Sequence, residues 1–121
     1  MTELKIMPVI ATVRDTENLN KALKSKALVI FDLNPNIFTL SERTETVHKA
    51  GKKLFIHIDL AEGIGKDKAG IEYAKNAGVD GVVSTRSNLI KLASDFGLLT
   101  VNSFFVIDSQ SVDTTIDTLK N

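Results

Sequence analysis

The chain has no cysteine, no net charge and no long apolar run at its start. Without cysteine there can be neither a disulfide framework nor thiolate chemistry, which fits a reducing compartment. Fifteen basic residues balance fifteen acidic ones, so no global field draws the protein to nucleic acid or to an anionic membrane; any such partner needs a local patch. The segment Met1 to Ile6 includes Glu3 and Lys5 and reads as neither a signal peptide nor a membrane span. The cytoplasm is therefore the expected location. Linkers and low-complexity stretches are also missing.

What remains has the composition of a folded domain. Hydrophobic residues make up 43% and charged residues 25% of 121, far from the signature of disorder. That length suits a single domain over residues 1–121. Five apolar runs recur at strand-plus-helix intervals: Ile6 to Val13, Ala27 to Leu33, Leu54 to Ile58, Val79 to Ser84, and Leu98 to Ile107. Helical patterns follow them, with Leu19, Ala22 and Leu23 on one face of 15–26 and Leu89, Leu92, Ala93 and Phe96 on another. Val112, Ile116 and Leu119 predict a last helix over 109–120. Thr39 and Glu42 have capping-box spacing, and Gly51, Gly78 and Gly97 stand where a left-handed residue stops a helix.

Strands alternating with crossover helices predict an α/β domain of parallel (βα) repeats. Two architectures fit: a TIM-barrel-like array with only about five units, hence an incomplete barrel, or an open flavodoxin-like doubly wound sheet. Both place ligands where strands end and helices begin, because loops and free helix N–H groups converge there.

Four of the five strand ends are polar: Arg14-Asp15, His57-Ile58-Asp59, Ser84-Thr85-Arg86-Ser87-Asn88 and Asp108-Ser109. Alternation along strand three puts Phe55, His57 and Asp59 on one face and Leu54, Ile56 and Ile58 on the other, so His57 and Asp59 should point inward and could couple protonically. Arg14 and Arg86 beside helix N-termini would form an anion site. Plainer readings stand beside these: helix caps or strand stops for Asp59, Asp108 and Ser109, surface ion pairs for the arginines, and a structural hydrogen bond for His57. The loop Glu62-Gly63-Ile64-Gly65-Lys66-Asp67 lacks P-loop spacing and is expected to be mobile and solvated. No second histidine stands at ligand spacing and no G-x-S-x-G elbow occurs. Neither a metal nor a cofactor is implied. A receiver domain shares the element order, and Asp59 with Thr85 mimics two of its parts. Its acidic cation pocket is missing, because Arg14-Asp15 and Asp108-Ser109 occupy the places of its acids and lysine.

The segments Pro8 to Arg14 (P-V-I-A-T-V-R), Gly51 to Leu60 (G-K-K-L-F-I-H-I-D-L), Glu62 to Asp67 (E-G-I-G-K-D), Asp80 to Asn88 (D-G-V-V-S-T-R-S-N) and Phe105 to Ser109 (F-V-I-D-S) resemble, in order, the glycerol-uptake operon antiterminator family. The resemblance implies a TIM-barrel-like cytoplasmic regulator that responds to glycerol 3-phosphate and binds leader mRNA. Carried over position by position, its polar residues are Arg14, His57, Asp59, Glu62, Lys66, Asp67, Ser84, Thr85, Arg86, Asn88, Asp108 and Ser109. Lys49, Lys52 and Lys53 offer a local basic surface for RNA. Two departures stand out. Family members continue into further units with late phosphate-binding loops, and they tend to carry arginine where this chain has Ser103. An uncovered last strand would favour a homo-oligomer. The competing readings are a barrel-derived enzyme for a phosphorylated sugar or polyol, with His57 and Asp59 as acid and base, and an inactive half-barrel.

Overall fold

A computed structural model describes residues 9–102 and the backbone of 114–115. Along the chain run β1 (Val9–Val13), α1 (Thr16–Leu23), β2 (Val29–Asp32), α2 (Leu40–Lys49), β3 (Lys53–His57), a 3-10 turn (Ile58–Leu60), α3 (Lys68–Asn76), β4 (Gly81–Ser84), α4 (Ser87–Asp95), β5 (Leu99–Asn102) and β6 (Thr114–Thr115). The strands are rich in residues that favour the pleat, chiefly valine, isoleucine and phenylalanine. Helix starts and stops follow from capping. Asp15 and Asp67 accept from the main-chain N–H of Asn18 and Gly70 at the heads of α1 and α3. The three glycines expected to stop helices do so, with φ of 78°, 97° and 86° at Gly51, Gly78 and Gly97.

The sheet order is β5-β4-β3-β2-β1-β6, parallel from β1 to β5. Sequential order has no switch point, so the doubly wound alternative is wrong, and the receiver arrangement falls with it. The packing says the same. One core holds Ala11, Val13, Ile30, Leu54, Ile56 and Val82 together with Leu19, Leu40, Val47, Ile71, Ala74, Leu89 and Ala93 from the four helices. The other core is made of strand-face residues and Leu33, just past β2: Ile10, Val29, Phe31, Leu33, Phe55, Val83 and Val101. All four helices therefore cover one face, as they do outside a (β/α) barrel, and the other face is what a barrel turns inward. The sheet is open, with five parallel units.

Two local expectations fail. Thr39 precedes α2 but makes no side-chain cap hydrogen bond, since its backbone is already near helical at φ −119° and ψ −3°, not the extended conformation an N-cap needs. Thr114–Thr115, inside the expected last helix, instead pairs antiparallel with Val9 and Ile10. The sheet edge offered by β1 outcompetes helical periodicity for two β-branched residues.

Candidate functional site at the strand ends

Parallel pairing sets the carboxyl ends of β1 to β5 along one rim. His57 is the last residue of β3 and stands opposite Val83 of β4. It continues the inner row from Phe55, as alternation predicts. The side chain is completely buried, and neither Nδ1 nor Nε2 has a hydrogen-bond partner among the described residues. Around it the buried inner face is apolar, with Phe31 and Phe55 in ring contact at 5.4 Å. Burial holds the His57 pKa below its ordinary value of 6.5; the charge of Asp59 and the residue's own main chain pull upward less strongly. The resting ring is neutral. Leaving such a group unpaired costs about 1–3 kcal/mol.

Asp59 does not continue the inner row. The 3-10 turn ends the strand alternation at Ile58, and the carboxylate turns sideways to the end of β4. Its Oδ1 accepts from Ser84 Oγ at 2.7 Å, and its Oδ2 accepts from Thr85 N at 3.0 Å and Thr85 Oγ1 at 2.9 Å. Partial burial raises its pKa, but the Thr85 N–H, the two hydroxyls and His57 together outweigh this and leave it lowered. Ser84 Oγ in turn accepts from the main-chain N–H of Arg86 at 2.9 Å. Asp59 is therefore the clasp that shapes the β4–α4 loop. It makes no hydrogen bond to His57, so the expected proton-coupled pair is not formed.

Arg86 and Asn88 are exposed at the head of α4, and Arg14 is exposed after β1, its carbonyl accepting from Asn34 Nδ2 at 3.4 Å. The loop after β3 is tethered, contrary to the expectation of a mobile one. The N–H of Glu62 donates to Pro35 O, that of Ile37 donates to Glu62 O, and Asn36 Nδ2 reaches Glu62 Oε1 at 3.3 Å. Lys66 Nζ donates to Ala61 O at 3.2 Å, and Tyr73 OH to Ile37 O at 3.0 Å. Gly63 lets this happen, since at φ 77° its Cβ would lie 2.5 Å from Ile37 Cγ2. Phe38, on the neighbouring loop, is held out at 90% exposure. No signal in the sequence marked it, because a phenylalanine beside a helix start reads as core.

Asp108 and Ser109 lie outside the described residues. Lys49 and Lys53 stand at the opposite, amino end of the strands. Lys52 is buried there, its Nζ given to the carbonyls of Ser25 and Ala27, so this amine ties the start of β3 to the connection between α1 and β2. Two cavities of about 260 and 230 Å³ lie elsewhere. The first lies between α1 and α2 and includes Arg43, and the second lies between α1 and β1. Neither is lined by the predicted ligand residues, and chemistry rather than size marks the strand-end rim. Among the described residues no cluster of His, Cys, Asp or Glu could hold a metal, and no helix is long and apolar enough to cross a membrane.

Residues 9–121 match the family described as glycerol-3-phosphate responsive antiterminator. The chain belongs to that family. A curated relative, the uncharacterized protein YgcP of Escherichia coli (strain K12), is 36% identical over 109 residues, which cover 89% of this chain and 57% of that protein. A glycerol uptake operon antiterminator-related protein from Thermotoga maritima superposes with a TM-score of 0.73 at 25% identity, over 88% of this chain and 60% of that one. The glycerol uptake operon antiterminator regulatory protein of Listeria monocytogenes shares the fold, with a TM-score of 0.72 at 24% identity over 77% of this chain and 51% of that one. This antiterminator-family chain thus spans a little over half the length of the relatives it matches, and its likeness to them supports the TIM-barrel-like reading of the five units.

Proposed function

We propose that the protein is a non-catalytic regulator that senses glycerol 3-phosphate at the strand-end rim and contacts leader mRNA to permit transcription past a terminator. One observation carries the reading: the family match runs over 9–121 and so takes in every strand end where polar groups gather. Arg14 and Arg86 hold the phosphate from opposite sides. Three inter-strand steps of about 4.8 Å separate their strands, a span that the two side chains and the phosphate between them would bridge. His57 and Asn88 face the polyol, while Asp59 serves by fixing the loop that carries Arg86. Lys49 and Lys53 form the basic surface for RNA, without the occupied Lys52.

The engagement of Asp59 weighs against the enzyme reading, because a carboxylate that already accepts three hydrogen bonds from Ser84 and Thr85 is held as a loop clasp rather than offered to a substrate as a general base. Thermal unfolding with increasing glycerol 3-phosphate tests the proposal. A saturable rise in midpoint is expected from binding to the folded state, reduced by Arg14→Gln or Arg86→Gln. An unchanged midpoint at millimolar ligand would end it.

A further inference from the structure

We propose that His57 is the hydroxyl-reading residue of the rim, a neutral imidazole whose buried ring offers one N–H and one lone pair to the diol end of a polyol phosphate once the rim admits it. The inference rests on the effector reading above and deepens it. His57 is the one buried polar side chain on the inner face among the described residues, and both of its ring nitrogens are unpartnered. It sits at the carboxyl end of its strand, where the other polar groups of the site gather. The nearest candidate to fix its tautomer, Asp59, already accepts three hydrogen bonds from β4 and the loop after it. No side chain among the described residues therefore commits either nitrogen to donate or to accept.

That indifference selects a chemistry. A phosphate would ask for an imidazolium, which the apolar wall of Phe31, Phe55 and Val83 opposes, and burial does lower the proton affinity of the ring. A hydroxyl both donates and accepts, so two neighbouring hydroxyls satisfy either tautomer of the neutral ring. A ligand missing one of them leaves a ring nitrogen buried and unpaired, the situation in which hydrogen-bonding sites discriminate most strongly. The phosphate is left to the exposed arginines, and the diol goes to the histidine.

Calorimetric titration of the wild-type protein at pH 7.5 with glycerol 3-phosphate and with its two deoxy analogues, 2-hydroxypropyl phosphate and 3-hydroxypropyl phosphate, tests this. Each analogue is expected to bind at least roughly tenfold more weakly, with no proton uptake when two buffers of different ionisation enthalpy are compared. His57→Phe should bind all three alike, and its ligand-free form should melt above wild type because an unpaired polar group has gone. His57→Asn keeps a donor and an acceptor and should retain part of the discrimination. Equal binding of the three by wild type, retained discrimination in His57→Phe, or uptake of a proton would each overturn the inference while leaving the effector reading intact. If wild type bound none of the three, the effector reading would fall, and the inference with it.

Discussion

Asp32 is wholly buried at the end of β2, where the Asn34 N–H and the Arg43 guanidinium, at 2.9 and 3.0 Å, offset its charge. Burial pushes its carboxyl above the ordinary pKa, against the weaker pull of those two partners. Removing one partner of a buried pair exposes the full desolvation penalty, so Arg43→Ala should lower stability by about 3–5 kcal/mol in urea unfolding. Replacing both residues with apolar ones of similar volume should cost much less. At the same scale, the depressed His57 pKa has a signed consequence. Between its folded value and 6.5 the unfolded chain binds a proton that the native one refuses, so stability rises with pH across that window and is lost on acidification. In His57→Phe this component should vanish from a plot of unfolding free energy against pH. Asp59, whose pKa is lowered, adds stability that fades only as pH falls below 3.8.

Among the elements, α3 depends on one close approach. A Cβ on Gly70 would stand 1.7 Å from Gly65 O, so Gly70→Ala must push the first turn of α3 off the loop that precedes it. The expected loss, roughly 1–3 kcal/mol as for other overpacked sites, exceeds the small gain in helix propensity and should appear as a lower thermal midpoint. Much at this scale is legible in the sequence. Period-two alternation separates Ile56 from Phe55 and His57, and glycine marks three helix ends because a positive φ is required at each of them. Alternation gives a side chain's direction only while the strand lasts, which is why Asp59, inside the 3-10 turn, does not point inward as the pattern predicts. The adjacent pair Lys52-Lys53 has nothing local to say which amine is buried. Position along the strand decides that, and only the fold supplies it.

For the whole molecule, the winding of the sheet lay beyond the sequence pattern, since an open doubly wound sheet and a barrel arc share every local element and differ only in which strands pair. The observed order sets the proposed ligand rim and the Lys49–Lys53 surface at opposite ends of the strands. A five-residue strand rises about 3.3 Å per residue, so the two lie some 15 Å or more apart and do not share contacts. Charge reversal of Lys49 and Lys53 to Glu should therefore weaken leader RNA binding in filter assays and flatten its salt dependence, while the affinity for glycerol 3-phosphate stays within about twofold, as expected for distant sites.

The stitching of the loop after β2 to the loop after β3 couples their fates. Ile37 N–H donates to Glu62 and Glu62 N–H to Pro35, so neither amide can meet solvent deuterium until the two loops part from each other. One parting of the seam exposes both amides, so they should exchange with a single free energy of opening, and any molecule bridging the two loops would slow the exchange of both.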